Sequence, residues 1–451
     1  MRIRFWGTRG SLAKPGPTTL RYGGNTSCVE VRTADGTLIV LDCGTGVHGL
    51  GLALSAPGEG PVRGHLLISH THWDHIQGFP FFAPLFVPGN EWDIYAPGGL
   101  GQHLEATLSG QMEYTYFPIT LAQCGATIRF HDLAEGSFQI GGVRVLAQYL
   151  NHPALTLGYR LEADGAVVVY SADHEPHTRD QAGPVTRAAG APPVHREDQR
   201  HVEFLAGTDL VIHDAQYTAA EYPQRMNWGH TPAEWAVDYA LAADAKRVAL
   251  FHHDPLRDDE GLDRLVEICR QRARPAGGSL DVFAAAEGQV LDLAGREVGT
   301  PRAVSPAAPT APATAAPAEE QTILIADDDP TVVRLLIRTL QPEGFRLVTA
   351  SDGETALRMA RAERPALILL DWQMPGADGM EVTRALRADT DPSLREVPVV
   401  LITGKTGSEN IAVGFEAGVT DYLAKPFKPT HVRTRVRAWL LRRGTRAGDR
   451  A

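Results

Sequence analysis

The sequence predicts an α/β protein with two folded parts, the first built from layered sheets and the second from a doubly wound parallel sheet. The 451 residues are about three times the ~150 residues typical of one domain. An Ala/Pro-rich stretch interrupts the chain, and short apolar runs alternate with helical patterns on both sides of it. Alternating strands and helices are typical of α/β architectures.

Composition and charge narrow the class of function. No apolar run approaches the ~18 residues that span a bilayer, and the N-terminus lacks the apolar core of a signal peptide, so we expect a cytoplasmic protein without membrane contact. The net charge of −11 disfavours a duplex nucleic-acid surface, which needs a basic face. Four cysteines without a CxxC pair disfavour a disulfide framework or a thiolate zinc site.

One boundary between domains is plain. The stretch from Thr300 to Gln321 is dominated by Ala, Pro and Thr and has no apolar periodicity, which predicts a semi-stiff linker. It divides the chain into a first domain at 1–299, a second at 322–441 and a basic tail at 442–451.

Apolar, β-branched runs bounded by turn residues predict the strands of the first domain. They lie at Cys28–Arg32, Thr37–Leu41, His65–Ser69, Val143–Leu150, Ala166–Tyr170, Asp209–His213 and Arg247–Phe251. Helical spacing predicts helices at Thr231–Ala243 and Leu262–Ala273, and Thr231 and Glu234 have the spacing of a capping box. The polar stretch Glu175–Arg200 predicts an inserted loop.

The second domain alternates more regularly, and five βα units predict a parallel sheet with right-handed crossovers. The strands are Thr322–Ala326, Arg346–Ala350, Leu367–Leu370, Val397–Leu401 and Asp421–Leu423. The helices are Asp329–Leu340, Gly353–Arg361, Gly379–Arg387, Asn410–Ala417 and His431–Leu441.

The strongest chemical signal is the segment HTHWDH at His70–His75, directly after the apolar run LLIS. Four potential ligands in six residues cannot all face one metal from a regular strand or helix, but on a loop they can face two. Imidazole and carboxylate without thiolate suit zinc, manganese or iron. Three later ligand-type residues, His152, Asp173 and His252, each follow an apolar strand.

In this order the residues resemble the metallo-β-lactamase fold superfamily, over Met1 to Gly299. The resemblance implies an αββα sandwich with two divalent metals, zinc first and manganese or iron as alternatives. Asp42 in LIVLDCGTG matches a superfamily aspartate that orients ligand imidazoles, and it also fits a turn cap. His253 neighbours the site, but His252 is favoured because it comes first after the strand. One metal would be held by His70, His72 and His152, the other by Asp74, His75 and His252, with Asp173 between them.

Two metals about 3.5–4 Å apart support metal-assisted hydrolysis. Two further motifs, HDAQY at His213–Tyr217 and GHTP at Gly229–Pro232, resemble the phosphodiesterase branch that includes the tRNA 3′-processing endonuclease. The resemblance implies that His230 protonates the leaving group and that Asp214 fixes its tautomer, where the endonuclease has Glu. Asp74 is counted with these catalytic residues.

The substrate class follows from charge. Neutralisation of phosphates by Lys and Arg drives affinity for nucleic acid, and this acidic chain shows no long basic arm. A small phosphodiester, such as a cyclic nucleotide, is therefore favoured over a large RNA. Two alternatives remain, a lactone or thioester hydrolase and a signalling module whose metal site only senses or scaffolds.

Four segments of the second domain, ILIADDDP, LILLDWQMPGADG, VVLITGKTG and DYLAKPF, end predicted strands at one sheet edge. Acids meeting there repel unless a hard cation joins them, and Mg²⁺ fits. From Thr322 to Leu441 this set resembles the receiver domain of bacterial response regulators. The resemblance makes Asp371 the phosphoacceptor and Thr403, Tyr422 and Lys425 the switch residues. Magnesium would be held by Asp327, Asp328, Asp371 and the backbone carbonyl of Gln373.

Receivers are phosphorylated by sensor histidine kinases, so such a kinase is the expected partner. The first domain is then the output, and phosphorylation would act on it through docking or through a homodimer formed by the receiver.

Overall fold

The computed structural model describes residues 1–56, 60–98, 104–177, 189–190, 193, 195–274, 280–293, 321–403, 417–425, 427, 429, 432–433, 435–437 and 439–440. These residues form two compact units, one ending at residue 293 and the other starting at residue 321. Apart from Gln321, the predicted linker lies outside the described residues, as do the basic tail and all but the last residue of the predicted helix at 410–417. The domain boundaries therefore remain predictions.

The strands of the first unit supply two sheets. They are β1 Arg2–Gly7, β2 Cys28–Arg32, β3 Leu38–Leu41, β4 Arg63–Leu67, β5 Glu91–Pro97, β6 Thr127–Leu133, β7 Gly136–Ile140, β8 Val143–Tyr149, β9 Leu157–Ala163, β10 Ala166–Ser171, β11 Leu210–Asp214, β12 Arg247–Phe251, β13 Asp281–Ala284 and β14 Val290–Asp292. The first sheet has the order β14-β1-β2-β3-β4-β5-β6, and the second has the order β13-β12-β11-β10-β9-β8-β7.

In each sheet, the strands of one half pair antiparallel and the strands of the other half pair parallel. In the first, β3 to β6 run parallel, and in the second, β10 to β13 run parallel. The carboxyl ends of parallel strands are where sites assemble in such sheets. Asp42 follows β3, Asp173 follows β10 and His252 follows β12, so the fold brings ligand-type residues from both sheets to the same region.

The helices cover the outer faces of the two sheets. They are α1 Val47–Leu54, α2 Trp73–Ile76, α3 Leu104–Gln111, α4 Arg196–Leu205, α5 Ala233–Ala242 and α6 Asp259–Ala273. α1 and α3 pack on the first sheet in one buried apolar cluster, and α4, α5 and α6 pack on the second sheet in another. The inner faces meet each other, as shown by the rings of Phe5 and Phe251, whose centroids are 6.2 Å apart. This is the αββα sandwich that the sequence predicted.

Two local predictions in this unit are wrong. The helix expected to start at Thr231 starts at Ala233, and its N-cap is Pro232, without a side-chain capping bond. The capping box fails because the Glu234 carboxylate accepts instead from the Ala219 amide at 2.9 Å. The stretch expected to be a loop as far as Arg200 turns helical at the start of α4, because its last residues lead into the amphipathic helix whose apolar side contacts the second sheet.

The second unit is a five-stranded parallel sheet of order β16-β15-β17-β18-β19, as predicted. Apolar clusters lie on both faces of it. Its elements are β15 Thr322–Ala326, α7 Pro330–Leu340, β16 Arg346–Ala350, α8 Gly353–Glu363, β17 Leu367–Asp371, α9 Gly379–Arg387, α10 Pro392–Arg395, β18 Val399–Thr403 and β19 Asp421–Ala424. The described residues within the predicted last helix, from Val432 to Leu440, are helical.

No helix among the described residues has the length and apolarity needed to cross a membrane.

Candidate functional sites

The HTHWDH segment leaves β4 and turns into α2 within three residues. His72 is the N-cap of α2, in an extended conformation, while Asp74 and His75 lie inside the helix. This change from extended to helical backbone spreads the four side chains in different directions. It is the local reason why one short segment contributes to two clusters of donors.

The first cluster combines His70, His72, His152 and Asp173, whose donor atoms all lie within 4.8 Å of one another. Nε2 of His152 is 3.1 Å from Nδ1 of His72. Oδ2 of Asp173 is 3.6 Å from Nε2 of His70 and 3.6 Å from Nε2 of His152. The structure therefore brings together the set that the resemblance implied for one metal.

The second cluster combines Asp74, His75 and His252. Oδ2 of Asp74 is 3.3 Å from Nε2 of His75 and 3.0 Å from Nε2 of His252. The other oxygen of Asp173, Oδ1, is 3.2 Å from each of these two imidazole nitrogens. Asp173 thus presents one oxygen to each cluster, which is the arrangement of a bridging carboxylate.

The donors fit divalent cations. A tetrahedral ion with bonds of about 2.0–2.2 Å separates its ligand atoms by roughly 3.4 Å, close to the spacings found here. Nε2 of His70 is buried and has no hydrogen-bond partner among the described residues. Burial also lowers the pKa of His152 to about 3, despite the nearby Asp173 carboxylate, so this ring offers a lone pair at neutral pH.

The buried carboxylates of the site also indicate that it binds divalent cations. Burial alone would raise the pKa of Asp74, but His75 and His252 outweigh it and hold that pKa well below its ordinary value. Ionised carboxylates are costly to bury unless cations or hydrogen bonds compensate them. A pair of divalent ions would balance the buried acids Asp74 and Asp173.

Asp42 supports the second cluster from behind. Its Oδ2 accepts from Nδ1 of His75 at 2.7 Å and from the Tyr170 hydroxyl at 2.6 Å, and its Oδ1 accepts from the Ser69 amide at 2.6 Å. With Nδ1 of His75 bonded to a carboxylate, the lone pair of Nε2 faces the centre. The sequence allowed two roles for Asp42, capping a turn or orienting a ligand imidazole, and this geometry supports the second.

The structure also separates His252 from His253. His252 adopts a positive φ of 59°, which turns its ring into the cluster. His253 instead donates through Nε2 to the Ala285 carbonyl at 2.8 Å. Gly10 backs His252 so closely that a Cβ at Gly10 would lie 2.4 Å from ring atoms of His252.

His230 and Asp214 form a buried pair beside the centre. Nδ1 of His230 donates to Oδ2 of Asp214 at 2.9 Å and lies 3.9 Å from Asp173, and the His230 ring stacks on His252 with centroids 4.9 Å apart. Burial lowers the pKa of His230, but Asp214, then Asp173 and Asp74, outweigh it and raise the pKa to about 9.

Sequence reasoning missed Glu175. Its buried carboxylate accepts from the Tyr222 hydroxyl at 2.8 Å and from the Asn227 and Gly229 amides at 2.6 and 2.9 Å. The Gly229 carbonyl in turn accepts from Nδ1 of His152 at 2.9 Å. Glu175 therefore anchors the loop that carries His230 and orients a ligand-type histidine. An acid two residues after Asp173 is the only signal that the sequence offered.

In the second unit, Lys425 holds two of the predicted acids together. Its Nζ is 2.5 Å from Oδ1 of Asp371 and 2.8 Å from Oδ2 of Asp327. The Gln373 amide donates to the other oxygen of Asp371 at 2.8 Å. Asp328, next to Asp327, is exposed. The carboxylates meet at one sheet edge, a donor set that suits Mg²⁺.

The other two predicted switch residues, Thr403 and Tyr422, lie on strands next to these acids. Thr403 is buried at the end of β18, and its carbonyl accepts from the Lys425 amide at 2.8 Å. Trp372 is the residue after Asp371, and its ring centroid lies 6.3 Å from that of Tyr422.

Comparison with known proteins agrees with both halves of this description. A family model described as beta-lactamase superfamily domain matches residues 37–253, and one described as response regulator receiver domain matches residues 323–437. The fold and the sites thus define a metallo-β-lactamase fold domain followed by a receiver domain. Each of the two family models thus lies within one of the two units, in agreement with the two resemblances found in the sequence.

Individual relatives resemble one half of the chain or the other. The DNA-binding response regulator MtrA of Mycolicibacterium smegmatis is 44% identical over 122 residues, which are 27% of this chain and 51% of the relative. The chain thus spans about half the length of the curated relatives that it matches. The metallo-beta-lactamase fold protein YhfI of Bacillus subtilis covers 64% of this chain and 99% of its own, with 18% identity and a TM-score of 0.46. The short form of human tRNase Z covers 65% of this chain and 99% of its own, with 21% identity and a TM-score of 0.43.

Proposed function

We propose that the first unit is a dinuclear metal-dependent phosphodiesterase that acts on a small phosphodiester, and that phosphorylation of the second unit regulates it. One observation carries the reaction class. The His230–Asp214 pair stands 3.9 Å from the carboxylate that faces both donor clusters. A lactone or thioester hydrolase has less need for a general acid there.

The residues that would hold the metals are the seven of the two clusters, with zinc as the first choice and manganese or iron as alternatives. When bound, two divalent ions lower the pKa of a water and stabilise charge on the reacting oxygens. They fit this set because its nitrogen and oxygen donors converge in two groups that share Asp173.

His230 supplies the proton for the leaving group. Its Nδ1–H is held by Asp214, so Nε2 is the nitrogen left to carry a proton to the leaving oxygen. The Thr231 and His174 amides also donate to Oδ2 of Asp214, each at 3.3 Å, which fixes the carboxylate. Water first gives one proton to solvent; as the resulting hydroxide oxygen bonds to phosphorus, the bond from phosphorus to the leaving oxygen breaks, and that oxygen keeps the electron pair and takes the His230 proton.

Arg225 supports an anionic substrate. Its Cζ lies 4.8 Å from the Trp228 ring centroid and 6.0 Å from the Tyr217 ring centroid. The Tyr217 ring is in turn 5.8 Å from that of His230. A guanidinium held between aromatic rings near the general acid suits a phosphate and a stacked base.

Regulation would begin with phosphoryl transfer to Asp371 from a sensor histidine kinase. An oxygen of Asp371 attacks phosphorus, the phosphorus–nitrogen bond of the donor breaks, and the donor histidine keeps the electron pair. Mg²⁺ on Asp327, Asp328, Asp371 and the Gln373 carbonyl would neutralise the charge, and Lys425 would pair with the phosphoryl oxygens. Thr403 and Tyr422 would then move, and the receiver would act through docking or through a homodimer.

The test of the reaction class is a substrate panel on the full chain loaded with zinc or manganese. Bis(p-nitrophenyl) phosphate and cyclic and linear nucleotides should be hydrolysed, whereas lactones and thioesters should not. Arg225→Met should raise KM for a nucleotide more than it lowers kcat, while His48→Ala, at an exposed position on α1, should change neither. Turnover confined to lactones or thioesters, or no turnover by the metal-loaded chain, would contradict the proposal.

A further inference from the structure

Five histidines of the first unit take no part in the two donor clusters and yet are packed together. They are His174, His177, His195, His201 and His213, and their rings contact one another in a chain. From this group we infer a third metal site, formed by His177, His195 and Asp198, which would bind one first-row divalent cation such as zinc. This inference is independent of the proposed reaction.

The local fold brings these three residues together. His177 follows β10, six residues after its end, His195 is the N-cap of α4, and Asp198 lies in the first turn of α4. Residues three apart on a helix share one face, so His195, Asp198 and His201 line the same side of α4. The metal would join the chain after β10 to the start of α4.

The donor geometry resembles that of the two clusters already described. Candidate donor atoms of His177, His195 and Asp198 all lie within 4.8 Å of one another. Nδ1 of His177 is 3.1 Å from Oδ1 of Asp198, and the rings of His177 and His195 are parallel to within 10° with centroids 4.8 Å apart. The side chains of His177 and Asp198 are only 5% and 1% exposed, so the pair is shielded from solvent, and Oδ1 of Asp198 also accepts from the His177 amide at 2.9 Å.

A buried lone pair next to the three residues provides a second observation. Nδ1 of His213 donates to the Asp214 carbonyl at 2.8 Å, so Nε2 of this neutral ring accepts. Nε2 of His201, 3.0 Å away, must therefore donate, which leaves a lone pair on Nδ1 of His201. That atom is buried and has no partner among the described residues, and its residue lies three positions after Asp198 on the same side of α4.

The chemistry of the set selects the ion. Two imidazoles and a carboxylate suit zinc, cobalt or iron, and three protein ligands leave a position for water or His201. The Glu197 amide donates to Nδ1 of His195 at 3.1 Å, and coordination by this ring competes with that bond. We therefore expect the third ion to bind more weakly than the two that share Asp173.

The experiment is a zinc count on the full chain, loaded with zinc, desalted without magnesium and analysed by mass spectrometry of the metal. The wild type should hold three zinc ions, and both His177→Gln and Asp198→Asn should hold two. His131→Gln is the matched control, because His131 also pairs with an aspartate, Asp93, at 2.8 Å but belongs to no donor group among the described residues. This control variant should hold three zinc ions.

A second measurement separates this site from the proposed dinuclear centre. Asp173→Ala should retain one zinc, and Asp173→Ala combined with His177→Gln should retain none. Graded chelation of the wild type should release one ion before the other two. If the wild type holds two, or if His177→Gln still holds three, the third site is wrong while the dinuclear centre stands. Because His177→Gln leaves α4 intact, it keeps the test valid if Asp198→Asn fails to fold.

Discussion

The two units assemble buried aspartates in different ways. In the first unit, Asp74 and Asp173 are surrounded by imidazoles, and each oxygen of Asp173 faces a different cluster. In the second unit, one flexible cation, Lys425, joins Asp327 and Asp371. Both centres lie at the carboxyl ends of parallel strands, so the difference arises from the partners and not from the position in the sheet.

The partners determine what each centre can do. Neutral imidazoles with lone pairs hold borderline ions such as zinc tightly and persistently. Carboxylates beside a movable ammonium suit Mg²⁺, which keeps its waters and exchanges, and the lysine can pair with an incoming phosphoryl group. The comparison predicts a permanent catalytic centre in the first unit and a reversible one in the second.

The largest effect should come from Asp173→Ala, because one carboxylate faces both clusters. We expect the loss of both ions of the dinuclear centre and of detectable diester hydrolysis, measured by metal analysis and turnover after zinc reconstitution. The corresponding change in the second unit, Asp371→Asn, should leave zinc content unchanged. A variant that lost only one ion would show that the clusters are independent.

His230→Ala should lower diester hydrolysis by about 10²–10⁴-fold, the contribution of a positioned general acid, with metal content unaffected. The substrate must have an alkyl leaving group, since an aryl oxide scarcely needs protonation. His48→Ala serves as the control. Near-normal rates for His230→Ala would show that this ring only packs against its neighbours. The proposed metals would then be the remaining chemical difference between the centre of the first unit and that of the second.

Asp42→Asn should weaken metal binding by about 10–100-fold, as is typical when the partner of a ligand imidazole is removed. The amide still occupies the space, but it cannot accept from His75, Ser69 and Tyr170 as the carboxylate does. Competition with a chelator measures the change, and Asp35→Asn, in an exposed turn, is the control. Equal affinity in both variants would show Asp42 to be a turn residue only.

The smallest effect should come from the second unit. Phosphorylation of Asp371 by acetyl phosphate with Mg²⁺ should change hydrolysis by about fivefold, the lower end of typical coupling between sites. The reason is that the new phosphoryl group competes for Lys425, which now pairs with Asp371 and Asp327. Asp371→Asn should not respond. If mass confirms phosphorylation and neither turnover nor oligomeric state changes, the receiver serves another partner.

The sequence predicted the fold well where apolar runs were long and buried on both faces. The runs at Cys28–Arg32 and Arg247–Phe251 match β2 and β12 at both ends. Edge strands such as β6 and β14 have few buried residues, so their apolar signal was too weak. The glycine-rich α1 was missed because Gly49 and Gly51 lower helix propensity, and its packing on the first sheet compensates.

The ligand order was readable because each residue directly followed an apolar strand. The roles of Glu175 and Gly10 were not readable, since they depend on contacts with residues 54 and 242 positions away. The choice between His252 and His253 rested on order alone. The backbone angle at His252, a left-handed conformation that non-glycine residues rarely adopt, has no local sequence signal.

Gly10 bears on how such proteins change over evolutionary time. A single methyl group at this position would collide with the His252 ring, and Gly10 itself lies outside the named strands and helices of the first unit. A relative with a larger residue at the position of Gly10 should therefore lack the His252 ligand of the proposed dinuclear centre. In proteins of this architecture, that one position would separate chains able to hold both proposed metals from chains that hold only one.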